Sequence, residues 1–323
     1  MKVKSYFLLL IIFLVIGCKQ KNETVTEGIL PSKSGPVRIT GAFALLPLMN
    51  RWISDYTKNH PEVKFEIQST GSIAGVSRLL HGEADLAMVS SELTKNADTQ
   101  VWIAPVAGLG TVFIMNHENP YYKNIRANGL NKDLLLGFFS SIEQKYWGDL
   151  YGKPGQDPVH VYHRGDSSGA ASVIARFLWV QPEDINGTGV TGDPGMVQAV
   201  TKDPLALGYC NFIYAFNPVT QSFVPEISVI PIDQNFNGKL YFKENYYDSV
   251  IHLQRAMWTG RYPCSLVRSL CIASKGKPRT KEIVDFLKYI LTEGQNIVQD
   301  AGYIELHRSE NKCRLFFLNN AGK

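Results

Sequence analysis

Arg164-Gly165-Asp166-Ser167-Ser168-Gly169 places a guanidinium, a carboxylate and two hydroxyls between glycines. An arginine fork can grip two oxygens of a tetrahedral anion at once. A carboxylate beside such an anion repels it, unless the ligand still carries a proton. Hydrogen phosphate does, and its O–H can donate to Asp166. Sulfate has no such proton, so the same carboxylate would reject it by repulsion. The plainer alternative is a surface Arg–Asp pair, worth about 0–1 kcal/mol. Two further turns share the pattern of glycine and small or hydroxyl residues: Gly41-Ala42-Phe43-Ala44 and Ser69-Thr70-Gly71-Ser72. The first turn of a helix leaves backbone N–H groups without partners at a positive dipole end. Glycine lets a ligand approach that end, and a serine hydroxyl adds a donor, so each turn can form an anion site. Ordinary helix caps use the same residue types. The three turns are read together as one candidate site on the assumption that the fold brings them to one cleft.

The elements around these turns have the right order. Val37-Arg38-Ile39-Thr40 alternates as a strand does, and Pro47 to Asn59 carries Leu48, Trp52 and Tyr56 at four-residue spacing, as on one face of a helix. Val63 to Gln68 alternates again. Ile73 to His81 follows as a helix with Val76, Leu79 and Leu80 on one face, and Ala84 to Val89 as a short apolar strand. The pattern returns at Val159–His163 (strand), Ser168–Trp179 (helix) and Leu205–Phe212 (strand), and Thr280–Asp300 forms a terminal helical region. Strands alternating with helices indicate an α/β sheet. Each of the three turns then joins a strand to a helix.

The N-terminus specifies a compartment. Lys2 and Lys4 precede an unbroken apolar and aromatic run, Tyr6 to Ile16, and then Gly17 and Cys18. Eleven helical residues would span roughly 16 Å against about 30 Å of bilayer core, too short to cross it. A charged start, a short apolar stretch and a small residue before a cleavage point form a secretory signal. Val15-Ile16-Gly17-Cys18 resembles a bacterial lipobox, in which the cysteine is lipidated and becomes the mature N-terminus. Residues 1–17 are therefore read as a lipoprotein signal peptide. Residues 18–36, polar and rich in Gly, Ser, Pro and Thr, are read as a flexible tether. The expected location is the periplasm or cell surface, anchored to a lipid bilayer. The formal charge is +4, two units of it from Lys2 and Lys4, and no Lys/Arg cluster tracks a phosphate backbone, so nucleic acid is not an expected partner. Neither C-x-x-C nor H-E-x-x-H occurs, and the sequence gives no case for a metal or cofactor. Beyond Cys18, Cys210, Cys264, Cys271 and Cys313 allow three pairings in an oxidising compartment. Cys210, within the apolar run from Leu205, is expected to be a buried free thiol.

Taken in order along the chain, these segments resemble the periplasmic phosphate-binding proteins of ABC transporters. Gly41 to Leu48 is similar to the family's first binding turn, Ser69 to Ser91 to its second loop, helix and strand, and Arg164 to Gly169 to its R-x-D-x-S-G-T turn. Val200 to Pro204 with Gly208-Tyr209, Tyr262-Pro263, Lys275 to Pro278, Tyr289 to Leu291, Glu293 to Gln295 and Ala301 to Tyr303 continue the likeness to about residue 306. The resemblance implies two α/β lobes, each a mixed sheet flanked by helices, with the ligand cleft at the hinge. Lobe 1 would use 37–115 and 235–323, and lobe 2 116–234. It implies that Ser72 donates its hydroxyl and N–H. Arg164 would clamp the anion, while Asp166 orients that arginine or accepts the ligand proton. Ser168 and Gly169 would donate from the third turn, with Ser90 as a further polar contact. The partners implied are inorganic phosphate or a related oxyanion and an ABC permease in the inner membrane. The chain would bind and deliver, and a separate ATPase would supply the energy.

Four positions depart from that pattern. Phe43 stands where a hydroxyl residue is usual, Ala170 replaces the threonine of S-G-T, and Ile73-Ala74 interrupt a Gly/Thr-rich loop. The N–H groups of Ala44 and Ala170 are left to bind without side-chain help. A lost donor to a charged oxygen costs about 1.5–3 kcal/mol if nothing replaces it. One alternative is therefore a surface lipoprotein with the same fold and an altered or lost pocket, taking another oxyanion or a protein partner. Another is a serine hydrolase. Gly165-Asp166-Ser167-Ser168-Gly169 fits G-x-S-x-G between a strand and a helix, with Ser167 as nucleophile, Asp233 or Asp248, and His252 or His307.

Overall fold

The computed structural model describes residues 35–90, 100–166, 168–307 and Leu315. The signal segment, Cys18, the tether up to residue 34, Ser167 and Cys313 lie outside the described residues.

The elements run β1 (Val37–Gly41), α1 (Leu46–Asn59), β2 (Phe65–Ser69), α2 (Ser72–Leu80), β3 (Leu86–Ser90), β4 (Val101–Asn116), α3 (Tyr122–Asn128), α4 (Lys132–Ser140), β5 (His160–Arg164), α5 (Gly169–Leu178), β6 (Thr188–Val190), α6 (Gly192–Lys202), β7 (Ala206–Asn211), β8 (Phe216–Asn217), β9 (Ser222–Phe223), β10 (Ile227–Val229), α7 (Val250–Trp258), β11 (Val267–Lys275) and α8 (Lys281–Leu291). The expected βαβ pattern from β1 to β3 and the strand–helix pair β5–α5 form within a residue or two of the expected bounds. The stripe on α1 is buried as its spacing requires, with Leu48 and Trp52 fully enclosed and Tyr56 nearly so. Trp52 Nε1 also donates to the Gly294 carbonyl at 2.8 Å, tying the C-terminal segment to α1.

The sheet order is β2-β1-β3-β11-β4-β7-β5-β6, with β10 on the far end of β4. Strand directions explain why a cleft forms at its middle. β1 runs parallel to β2 and β3, and β11 runs antiparallel to both β3 and β4. β3 therefore points the same way as β4. β7 is antiparallel to β4, and β5 is parallel to β7 and β6. The strands of the first half thus point toward the second half, and those of the second half point back. Their carboxyl ends, which carry the strand-to-helix turns, meet where β4 passes from one half to the other. In open α/β sheets ligands bind outside the carboxyl ends of strands, at such a switch point.

β4 was not evident in the sequence because it crosses both cores. From Leu109 to Asn116 every residue is buried, so no period of two survives. Its glycines mark where neighbours press on it. A Cβ on Gly110 would lie 2.4 Å from Met257 Sδ, and one on Gly108 would lie 3.0 Å from Ile304 Cβ. Up to Gly110, β4 pairs with β11, and from Thr111 it pairs with β7. Two main hydrophobic clusters correspond to these halves. One joins α1 and α8 to β1, β3 and β11 through Trp52, Phe286, Ile290, Ile39 and Leu270. The other is built around Phe113, Phe139, Trp147, Phe177 and Tyr209, and it also takes in Tyr247, Leu253, Met257, Tyr262 and Leu266. The expected division at 115/116 falls inside β4. Of the chain after 235, Tyr246 to Leu266 packs its apolar side chains into this second cluster, while Leu270, Phe286, Ile290 and Tyr303 pack into the first. Cys210 and Cys271 are buried and Cys264 is exposed, and no disulfide joins them among the described residues. Among the described residues no helix is long and apolar enough to cross a membrane.

Candidate functional site

The first half contributes two turns and a strand end. Gly41 has φ +120°, and a Cβ there would lie 2.1 Å from the Met88 carbonyl oxygen, so only glycine fits. Its carbonyl accepts the N–H groups of Thr70 and Gly71, both at 3.0 Å, which hangs the second turn from the end of β1. Gly75 completes the close approach, because its Cβ would sit 2.6 Å from Gly41 Cα. The N-terminus of α2 is thereby pressed against the strand ends. Its N-cap, Gly71 at φ 85°, supplies no side-chain cap, so the first-turn N–H groups are left open. Ser72 heads that turn, and its Oγ accepts the Ser90 N–H at 3.3 Å. The Ser72 hydroxyl hydrogen therefore points elsewhere. Ala44 lies at the head of α1, where its carbonyl accepts the Tyr303 hydroxyl at 2.7 Å. Phe43 beside it is 62% exposed, and Ile73 is 73% exposed.

The second half contributes the charges. Arg164 ends β5, and its backbone N–H donates to the Tyr209 hydroxyl at 3.0 Å. Its side chain is 7% exposed. Nε and Nη2 donate to the two oxygens of Asp166, each at 2.6 Å. Nη1 lies 3.0 Å from Asp193 Oδ2 as an ion pair. The hydrogens of Nη1 do not point at that oxygen, and the atom is buried without a hydrogen bond among the described residues. A guanidinium carries five N–H donors. Asp166 takes two, so Nη1 and the second hydrogen of Nη2 can still face a ligand. Burial pulls the Arg164 pKa down, but Asp166 and Asp193 outweigh it and hold the group above its usual value. Burial raises the Asp166 pKa. The Arg164 guanidinium outweighs that effect, with help from the backbone N–H groups of Asp166 and Gly192, and the carboxyl titrates below 3.8.

Ser168 is the N-cap of α5, its Oγ accepting the Ala171 N–H at 3.2 Å. Gly169 and Ala170 follow in the first turn. Ala170 is 1% exposed and belongs to the second core, so only its backbone can serve a ligand. The two halves meet at Gly169, where a Cβ would lie 3.3 Å from Ser90 Oγ and 3.3 Å from Arg268 Nε. Ser72, Ser90, Gly169 and the Arg164–Asp166 pair thus come from turns at opposing strand ends. No described contact links Ala44 to the other candidates.

Four neighbours of the site were not read from the sequence. Asp193, in the first turn of α6, accepts the Asn211 backbone N–H at 2.7 Å and its Nδ2 at 2.8 Å. Asn211 Oδ1 accepts from Arg268 Nη2 at 2.7 Å, and Arg268 Nη1 donates to Thr111 Oγ1 at 3.0 Å. The sequence did hold a signal for two of them. Arg268 interrupts a strand that is otherwise mostly apolar, and Asn211 ends one. Such polar groups are seldom buried without a role. The residues suggested for a hydrolase are engaged elsewhere. Asp248 pairs with His252 at 2.9 Å on an exposed turn. Asp233 accepts the N–H groups of Asn237 and Gly238. His307 stacks on Trp258. The proposed nucleophile, Ser167, lies outside the described residues.

Residues 26–293 match the family described as the PBP superfamily domain. A phosphate-binding protein PstS of Methanocaldococcus jannaschii is 25% identical over 88% of this chain and 85% of its own length. One from Xylella fastidiosa is 25% identical over 90% of each. Among solved structures, a putative phosphate ABC transporter substrate-binding protein with bound phosphate from Clostridium perfringens superposes with a TM-score of 0.66 at 20% identity, covering 84% of this chain and all of that one. An ABC-type phosphate transport receptor from Vibrio cholerae gives 0.62 at 19% identity, with the same coverage. The fold is the two-lobed α/β architecture of periplasmic binding proteins, and with the family match extending over most of its length the chain belongs to the PBP superfamily.

Proposed function

We propose that the chain captures hydrogen phosphate outside the cytoplasmic membrane and hands it to an ABC importer. The observation that carries this reading is the Arg164 side chain. It is buried and gripped by two carboxylates, yet among the described residues Nη1 has no hydrogen bond. A buried cation left with unused donors fits an anionic ligand better than it fits a structural role. In this reading Ser72, Ser90, Ser168 and the backbone N–H groups of Ala44, Gly169 and Ala170 complete the shell. Asp166 orients Arg164 through both oxygens and can take the ligand proton on a second lone pair. The names of the relatives, phosphate-binding proteins, support phosphate over other oxyanions.

The lobes in this reading divide at Gly110/Thr111 and at Leu266/Val267, where β4 changes partner and β11 begins. Closure about these two crossings would bring the turns together on the anion. Cys18 would carry a lipid that holds the protein at a membrane, and mass analysis of the mature N-terminus tests that. The chain would have no catalytic step of its own. The binding test is calorimetric titration of anion-stripped protein starting after Cys18. Phosphate binding that is micromolar or tighter, with no response to sulfate and loss on Arg164→Ala, supports the reading. No heat with phosphate refutes it.

A further inference from the structure

We infer that the loop from Asp233 to Glu244, between β10 and α7, is a calcium site. The inference stands apart from the phosphate reading. Residues 233–244 read DQNFNGKLYFKE. They fit D-x-[DN]-x-[DN]-G-x5-E, the spacing of a calcium-binding loop, at every specified position. In such a loop the ion is surrounded by side-chain oxygens at positions 1, 3 and 5, a main-chain carbonyl at 7 and a bidentate glutamate at 12. Those positions are Asp233, Asn235, Asn237, Lys239 and Glu244. C-x-x-C and H-E-x-x-H report on sulfur and nitrogen ligands, and this loop offers only oxygens, so their absence says nothing against it.

The chain winds as this spacing requires. Gly238, at position 6, has φ +71°, and Phe236 at position 4 has φ +61°, where a bulky residue is uncommon. Asp233 Oδ1 and Oδ2 accept the N–H groups of Asn237 and Gly238 at 3.3 and 2.9 Å. Asn235 Oδ1 accepts from Asn237 N–H at 3.2 Å, and Asn237 Oδ1 from Lys239 N–H at 3.0 Å. Glu244 folds back from the far end of the loop. Its Oε1 accepts the Gln234 N–H at 3.0 Å, beside Asp233, and its Oε2 accepts the Tyr241 N–H at 3.3 Å and Asn235 Nδ2 at 3.2 Å. Both Asp233 oxygens and Glu244 Oε1 thus accept a single N–H each and keep a lone pair.

Charge and burial point independently to a cation. Asp233 is 1% exposed and Glu244 is 6% exposed, yet among the described residues neither pairs with a lysine, arginine or histidine. Buried charges are paired or coordinate metals. The cations near the loop are turned elsewhere. Lys239 and Lys243 are exposed. Arg261 lies over the Tyr246 ring and donates to the Lys243 main-chain carbonyl. A divalent ion would cancel the two carboxylate charges. A bidentate glutamate with four further oxygens suits calcium, which takes six to eight oxygen ligands, better than magnesium, which demands a tight octahedron. The loop is fastened at both ends to the second lobe. Asp233 N–H donates to Leu130 at 3.2 Å and Leu240 N–H to Ala127 at 3.3 Å, between α3 and α4. Tyr246 and Tyr247 beyond it pack into the second cluster ahead of α7. Bound calcium would therefore stabilise this lobe.

Protein starting after Cys18, stripped with EGTA in phosphate-free buffer, is titrated calorimetrically with calcium chloride and separately with magnesium chloride. Calcium is expected to bind at one site with a Kd of about 10⁻⁴ M or tighter, and magnesium at least tenfold more weakly. About 5 mM calcium should raise the melting midpoint by about 5 °C or more. Glu244→Gln should weaken calcium binding about 100-fold or more, since it removes the bidentate ligand and half the charge. Asn237→Ala, at an exposed position, should weaken it about tenfold and decides the matter if the Glu244 variant does not fold. No heat and no midpoint shift with calcium overturns the assignment. So does calcium binding by Asn237→Ala within threefold of wild type, which would place the ion elsewhere, and so does equal affinity for magnesium. None of these results bears on the phosphate reading, which is tested with a different ligand.

Discussion

Replacing Asp193 with alanine should destabilise the second lobe far more than an average substitution. The Asp193 side chain is 8% exposed, pairs with Arg164 Nη1 at 3.0 Å and accepts two N–H groups of Asn211 at 2.7 and 2.8 Å. Breaking a buried ion pair on one side costs about 3–5 kcal/mol, because the other charge is left without compensation. Arg164 keeps both bonds to Asp166, so the lower end applies to the pair. The Asn211 backbone N–H, buried and stripped of its acceptor, adds about 1 kcal/mol or more. Together these come to about 4 kcal/mol, and at about 2–4 °C per kcal/mol for a unit of this size the melting midpoint should fall by about 8–16 °C. Differential scanning calorimetry of the anion-free protein measures it. The double variant Arg164→Met with Asp193→Ala should be less destabilised than the sum of the single variants, by about 1–3 kcal/mol, since each single variant strands a charge that the other removes. A midpoint shift under 3 °C for Asp193→Ala, or strict additivity in the cycle, would show that the carboxylate does not hold the arginine.

Three more outcomes follow from the same geometry. Asp166 titrates below 3.8 in the folded chain, so its contribution to stability is complete above that value and is lost as pH falls through the lowered one. Asp166→Asn should therefore flatten the acid limb of a midpoint-against-pH curve below about pH 4, and an unchanged slope would contradict the pairing. Gly41→Ala forces φ +120° on a Cβ that would meet the Met88 carbonyl at 2.1 Å. It should lower the midpoint and weaken phosphate binding together, because the second turn hangs from the Gly41 carbonyl. Normal binding in a folded Gly41→Ala protein would show that this turn does not reach the ligand. Phe43→Thr trades an exposed ring for a hydroxyl at the head of α1 and should tighten phosphate binding about tenfold, in line with about 1.4 kcal/mol for one added hydrogen bond. Unchanged affinity by calorimetry would place the first turn outside the site.

The local elements that bear the turns were legible because their signals are local. Leu48, Trp52 and Tyr56 repeat at one helical turn, and the glycines at 41, 71 and 165 stand between strand-like and helix-like runs. Arg164 with Asp166 was visible as a pair two residues apart. The joining of the halves was not legible. β4 lies in both cores and shows no alternation, and β11, distant in sequence, inserts between β3 and β4. Asp193, Asn211 and Arg268 come from three separate elements and form a network only because opposed strand ends meet. Their spacing in sequence carries no trace of that meeting. That Tyr247, Leu253 and Tyr262 pack with the second cluster, while Phe286 and Ile290 further on pack with the first, was not legible for the same reason, since it depends on tertiary contacts.

The central claim is that one small oxyanion sits between the opposed turns, held from both lobes. A crystal structure of the chain grown with arsenate, a phosphate analogue located by its anomalous signal, tests it directly. The account predicts a single strong peak within hydrogen-bonding distance of Arg164 Nη1, the Gly169 backbone N–H and Ser90 Oγ. A map with no peak there, under conditions where calorimetry shows binding, would contradict it.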